Sequence, residues 1–374
     1  MLTVHPSIML GSYLWDEERL PRDEFDARTA VIRDAIAANG WSGMLVYGDA
    51  REHAALAWFT NFIPRMRWAM ALFPASGQPV LLASMSSRDI PAMKTMTWIG
   101  DVKSGWEWKW FEQWRATLSD GPIGTIGLAE ATPLLWKQIT GSLGAALPLV
   151  AADDVAATAR TVQRPREISV IKEAAQIVKR ARQAFQDEWA RGSDIETCAL
   201  VAERTARDNA AQDVRTLVSR DNGRTLQPFA PGLSTRTEKG LGYIAVKYLG
   251  YWADTYVQVG TEPLDRTVEA QLDALLAAVT AGRPLGEIAG AVPAAEIAAP
   301  HPVLSGHFGR RIGSSLNEGS EIRTGVSTPF ATDTVYSLHA GLCDEDGGSV
   351  ASALVLTDRD GRLSVLDRSA GGVA

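Results

Sequence analysis

The sequence predicts an α+β protein in two parts: a smaller α/β domain over residues 1–155, then a larger α+β domain over residues 156–374. Three observations lead there. A chain of 374 residues exceeds one comfortable core. Its 46% hydrophobic and 22% charged residues make an ordinary folded composition. Helical and strand periodicities alternate through the first part, whereas two long helices followed by many strands occupy the second.

The elements follow in order. Residues 24–39 carry apolar side chains at helical spacing and stop before Gly40; Gly43-Met-Leu-Val-Tyr47 then reads as a strand closed by Gly48-Asp49. The apolar runs 68–73 and 80–83, separated by Pro74-Ala-Ser-Gly-Gln-Pro79, form a hairpin-like pair. Short strands are expected at 125–128 and 147–150. The tract 153–165 is the connection, either a linker or the start of a helix. Pro165 suits the first turn of a helix, where its missing N–H has no partner to lose. That helix should run to about Trp189 and bury Ile168, Ile171, Ala174, Ala175, Val178 and Ala181. Ser193 and Glu196 make a capping box for a second helix reaching Ala210. Strands are expected at 214–219, 242–249 and 255–259, and helices at 265–280 and 285–297. Strand segments at 301–312, 336–338, 352–357 and 362–366 complete the chain, the last two joined by the turn Asp358-Arg-Asp-Gly361.

Bulk properties remove several classes. A formal net charge of -7 disfavours nucleic acid or an anionic membrane as the main partner. With only Cys198 and Cys343, neither a disulfide scaffold nor a Cys-rich metal site is available. No apolar stretch approaches a membrane span and no basic-then-apolar leader opens the chain, so a cytoplasmic location is the expectation. Trp106, Trp108, Trp110 and Trp114 cluster in one segment; core packing or a subunit contact explains them, with an aromatic ligand pocket as the alternative.

Five short motifs occur in a telling order: Arg160-Thr-Val-Gln-Arg164-Pro165-Arg166-Glu167, Gly250-Tyr251-Trp-Ala-Asp254, Gly306-His307, Tyr336-Ser-Leu-His339-Ala340-Gly341, and Gly347-Gly348-Ser-Val-Ala351 leading into Leu354-Val-Leu-Thr357. Together they resemble the creatinase/aminopeptidase P/prolidase family over nearly the whole chain. The resemblance implies a pita-bread catalytic domain preceded by a smaller creatinase-type α/β domain, assembled as a homodimer. Metal-dependent members of that family hold two divalent ions with two aspartates, one histidine and two glutamates. Here Asp254 and His307 are retained, but the first aspartate falls at Tyr243. The first glutamate falls at His339, and the last at Ala351, or at Ser352 if the alignment shifts by one. The resemblance therefore implies neither the usual dinuclear site nor ordinary Xaa-Pro peptidase activity. Its metal-free creatinase branch uses a histidine from the stretch matching residues 214–238, which here contains none.

What remains is a site rebuilt around His307 and His339. With Asp254 they could hold one iron, manganese or zinc ion and leave coordination positions open. Without a metal, either histidine could move a proton while Asp254 orients it and Tyr243 donates to an oxyanion. A third reading has the histidines merely packing. Arg310 and Arg311 are candidates to clamp a substrate carboxylate. Asn317 stands where the family has a second histidine, Glu318 follows it, and His301 precedes the motif as a further substrate-binding candidate. The segment containing Phe62, Arg65 and Arg67 resembles a family region that reaches the partner subunit's pocket, making these residues candidate selectors. The expected function is a hydrolase of a small-molecule amide, amidine-like or related C–N bond. The alternatives are a lyase or non-haem iron oxygen-using enzyme on the Asp/His/His set, and a non-catalytic binding protein.

Overall fold

The computed structural model describes residues 13–230, 232–233, 237–260, 264–296 and 298–369. The chain divides into two units, Met1–Arg160 and Thr161–Ala374. The expected boundary at residue 155 falls inside the helix Asp153–Ala159, so the tract read as linker or helix start is helical as far as Ala159 and non-helical from there until the next helix begins at Pro165.

In the first unit, every residue of Gly43–Asp49 is buried, a run suited to a central strand covered on both faces. It pairs antiparallel with Trp68–Pro74 and parallel with Ile123–Ile126. Val80–Ala83, Asp101–Ser104 and Leu149–Ala151 complete a six-stranded sheet. Leu45, Tyr47, Met70, Leu72 and Phe111 pack on one another with Trp114. Within the tryptophan cluster, Trp114 is buried as core packing predicts and half-buried Trp108 stacks on Phe111, whereas Trp106 is exposed.

The second unit begins with the helix Pro165–Ala190. The Arg164 backbone N–H donates to Glu167 Oε2 at 2.9 Å, while Tyr251 Oη donates to Oε1 at 2.9 Å. One carboxylate thus starts the helix and ties it to a strand. The buried stripe is Val170, Ile171, Ala174, Ala175, Val178 and Ala181; Ile168 is only half-buried. The next helix, Ile195–Asp208, is capped by Asp194, whose carboxylate accepts the Thr197 N–H at 2.9 Å, and not by Ser193. Ser193 Oγ donates to Glu188, and Glu196 pairs with Arg220.

Two sheets follow. One runs Tyr251–Val259, Gly240–Tyr248, Asp213–Val218 and Gln227–Pro228. The other runs Glu318–Glu321, Gly309–Arg311, Thr334–Cys343, Gly348–Thr357 and Leu363–Arg368. They meet where the Tyr256 backbone N–H donates to Ser352 Oγ at 2.9 Å. The expected strand at 301–312 is interrupted: Pro302–Leu304 is a 3-10 turn, and pairing resumes only at Gly309. The helix expected over 285–297 stops at Gly290, and residue 297 lies outside the described residues. Among the described residues no helix is long and apolar enough to cross a membrane.

Candidate active site

Strand periodicity decides which side chains can meet. A Cβ on Gly242 would lie 2.7 Å from Val257 and 3.2 Å from Phe185 of the long helix, so the Val257 side of its strand faces that helix. By the two-residue repeat, Asp254, Tyr256 and Gln258 face the other way. Tyr243 stands directly opposite Tyr256 on the neighbouring strand and shares this face. In the second sheet, Tyr336, Leu338 and Ala340 join an apolar core with Leu272 and Leu275. His339 and Ser337 therefore point away from that core.

Asp254 is 3% exposed. Its Oδ2 accepts from Tyr243 Oη at 2.9 Å and from Arg310 Nη2 at 2.6 Å. Arg310 Nη2 also donates to Tyr243 Oη at 3.2 Å, and its Nε donates to the Leu316 carbonyl at 2.7 Å. The ion pair is what permits the burial, since an isolated carboxylate at this depth would lose its hydration without return. Burial alone would lower the Arg310 pKa; the Asp254 carboxylate outweighs it, so the guanidinium is more firmly charged than usual. Burial, reinforced by Asp254, pushes the Tyr243 and Tyr256 phenols up, and both stay protonated. Asp254 Oδ1 is buried with no hydrogen-bond partner.

The two histidines form a second couple. His339 Nε2 lies 3.1 Å from His307 Nδ1 and 3.1 Å from the His307 carbonyl oxygen. A carbonyl can only accept, so the His339 proton sits on Nε2. His307 Nδ1 is then an acceptor, and its Nε2–H points toward Glu321 Oε1 at 3.6 Å. Glu321 itself is held by Arg323 at 2.8 Å. His339 is fully buried, and its Nδ1 has no partner. Burial, then the neighbouring His307 and Arg310 charges, holds the His339 pKa well below the ordinary value. Burial also lowers that of His307, against the pull of Glu321.

These shifts have a sign. In the unfolded chain both imidazoles titrate near about 6.5. Below that pH the unfolded chain binds protons that the fold rejects, so stability falls as pH falls and recovers as it rises. The melting temperature of the native protein should therefore drop more between neutral and mildly acid buffer than that of His339→Gln. Equal drops would show that His339 does not titrate on unfolding. A residual drop is expected in both, because burial lowers the His301 pKa too.

The mononuclear metal site expected from Asp254, His307 and His339 does not form. Among the described residues no group of three or more His, Cys, Asp and Glu side chains is placed to hold a metal ion. The physical reason is Arg310: its guanidinium occupies Asp254, and its charge also acts on both histidines. Asp254 Oδ2 is taken by Arg310 and Tyr243, and the two imidazoles pair with each other. Protein prepared without chelator should carry far less than one equivalent of divalent metal by elemental analysis. A stoichiometric ion that disappears in His307→Gln would contradict this.

Other expected site residues resolve differently. Arg310 is chiefly the partner of Asp254 rather than a free carboxylate clamp, and among the described residues its Nη1 makes no hydrogen bond. Arg311 lies 3.9 Å from Glu318 and donates to the Thr161 carbonyl at 3.4 Å. Glu318 is a loop anchor: its Oε1 accepts from Ser314 Oγ at 2.8 Å and from the Ser315 N–H at 3.0 Å. Asn317 is exposed. His301 binds no substrate through its ring, because Nε2 donates to the Gly223 carbonyl at 2.7 Å and Nδ1 accepts the Val303 N–H at 3.3 Å. Phe62, at 1% exposure, belongs to the first unit's interior and is no selector. Arg65 is half-buried, while Arg67 is exposed with its guanidinium over Trp106. His53 Nδ1 meets the Asp49 carbonyl at 3.2 Å, and His5 lies outside the described residues. Ala351 faces the apolar core, whereas Ser352 bridges the sheets.

Tyr256, Gln258 and Glu321 were not singled out by sequence. Period-two spacing from Asp254 could have found the first two. Glu321 sits on a short strand with no hydrophobic alternation, paired opposite Arg310.

No protein-family model and no curated protein matches the sequence. Solved structures do match. An X-Pro aminopeptidase from Thermotoga maritima superposes with a TM-score of 0.73 at 17% identity, covering 91% of this chain and 100% of the other. A prolidase from Pyrococcus horikoshii gives 0.74 at 14% identity, covering 93% and 100%. The N-terminal domain of the FACT complex subunit SPT16 from chickpea gives 0.66 at 13% identity, covering 92% and 96%. The chain therefore has the fold of the solved X-Pro aminopeptidases and prolidases, the pita-bread architecture that its sequence motifs predict.

Proposed function

We propose that the protein hydrolyses a C–N bond of amide or amidine type in a small molecule, using a histidine-centred site without a resident metal. One observation carries this reading: the string Glu321, His307, His339 ends in a fully buried imidazole nitrogen with no hydrogen-bond partner among the described residues. A buried neutral base with a vacant lone pair, oriented by a second group that a carboxylate supports, is the arrangement general-base chemistry needs.

In this reading His339 Nδ1 takes a proton from water as its oxygen adds to the carbonyl or amidine carbon. The resulting imidazolium is supported through His307 by Glu321. The same proton then passes to the leaving nitrogen as the C–N bond breaks, so the net change is addition of one water across that bond. Arg310 Nη1 lies on the Asp254 side of the site, where it suits an oxygen that gains negative charge or a substrate carboxylate, while Tyr243 donates its hydroxyl proton to Asp254. The aminopeptidase and prolidase neighbours, named for peptide hydrolysis, support the bond type. The FACT subunit has the same fold, so the fold alone does not assign the reaction. The iron-dependent alternative needs the Asp254, His307 and His339 ligand set, which is not assembled. A homodimer with Arg65 and Arg67 near the pocket of the second copy belongs to the same proposal.

The test is a panel of small amides, lactams and amidines, scored by release of amine or ammonia and repeated with His339→Gln. Turnover that depends on His339 is the expected result. Binding without turnover across the panel would favour the non-catalytic reading.

A further inference from the structure

Gln258 is 1% exposed, yet among the described residues neither its Oε1 nor its Nε2 has a hydrogen-bond partner. A buried carboxamide with both ends unpaired lowers stability relative to an apolar side chain of the same size. Its place in the fold indicates what could pair with it. The strand repeat sets Gln258 on the face of Asp254 and Tyr256, opposite the one packed on the long helix. Leu241 stands across from it and joins Tyr256, Leu304 and Val350 in an apolar cluster. Tyr256, between Gln258 and Asp254, touches the Tyr243 ring at 5.1 Å and the His339 ring at 6.0 Å. Unpartnered buried polar atoms therefore occur at three places around Tyr256: His339 Nδ1, Asp254 Oδ1 and the Gln258 amide.

We propose that Gln258 is a ligand-reading residue for a carboxamide or lactam edge. Oε1 accepts the ligand N–H while Nε2 donates to the ligand carbonyl, a two-bond pairing that needs donor and acceptor side by side on one planar group. In a regular strand Asp254 and Gln258 are about 13 Å apart, so the group read at Gln258 is distinct from the one that reaches Asp254. Asp254 Oδ1 then takes an N–H donor at the other end of the ligand. The assignment rests on the hydrolase reading for one point only, that this face is the substrate pocket.

The probe is 2-pyrrolidinone, with N-methyl-2-pyrrolidinone as the analogue lacking the donor. Equilibrium binding to the full chain is followed by ligand-observed NMR, alongside thermal melting. The lactam is expected to bind the native chain, and to bind Gln258→Leu about tenfold more weakly, the loss expected for one or two buried hydrogen bonds. The N-methyl analogue should bind poorly to both. Gln258→Leu should also melt higher, by about 2–4 °C for each kcal/mol gained in a domain of this size. No binding to the native chain, equal binding by the variant, or a variant that melts lower would each overturn the proposal, the last by making Gln258 a structural residue. The two readings separate in His339→Gln: retained turnover there sinks the hydrolase reading, while lactam binding still judges Gln258.

Discussion

His339→Gln is expected to lower kcat by about 10²–10⁴-fold, the usual contribution of a positioned general base. The change should leave KM nearly unaltered, because the groups assigned to substrate binding are Arg310 and Gln258. Glutamine keeps a donor for the His307 carbonyl but offers no basic nitrogen at the position of Nδ1. His307→Gln should fall nearly as far, since it interrupts the contact between His339 and Glu321. If the two imidazoles act as one unit, the double variant should be little worse than His339→Gln alone. Steady-state kinetics on any substrate from the panel, with a melting curve to establish folding, measures all three. Undiminished turnover in His339→Gln, or strictly multiplicative losses, would remove the histidine couple from the chemistry.

The second large effect is on stability. Arg310→Leu removes the cation from a carboxylate that is 3% exposed and leaves Tyr243 as its hydrogen-bond donor. Breaking a buried pair in this way destabilises by about 3–5 kcal/mol. Replacing both partners should be far milder, because no uncompensated charge remains. Urea unfolding of Arg310→Leu, Asp254→Leu and the double variant forms the cycle, and a coupling of several kcal/mol is expected between residues in direct contact. A single Arg310→Leu variant as stable as the native chain would mean that Asp254 does not depend on this guanidinium.

Much of the architecture was legible because it depends on local periodicity and motif order. The long helix after Pro165 and the hairpin-like pair in the first unit follow from spacing that one segment contains by itself, whereas the strands expected at 255–259 and 336–338 extend in the structure over Tyr251–Val259 and Thr334–Cys343 and so take in Asp254 and His339. Local competition was harder to read. Asp194 capped the second helix where Ser193 was expected, since Ser193 had a nearer partner in Glu188. The break in the 301–312 segment came from Pro302 and the left-handed Ser305 that ends its turn.

The sequence by itself determined the fold through its motif order, and its family resemblance set the expectation that Asp254 and His307 stand at ligand positions while Tyr243, His339 and Ala351 or Ser352 stand where carboxylates are usual. Which groups would bond was decided only by the tertiary structure. Asp254 lies on a strand of one sheet and His307 in the loop just before a strand of the other, and no periodicity along the chain relates them. Folding brought Arg310 to Asp254 and Glu321 toward His307, so the expected three-ligand set became an ion pair and a histidine couple. The reason is electrostatic: a buried carboxylate must be neutralised by whatever cation can reach it, and here the chain supplies its own.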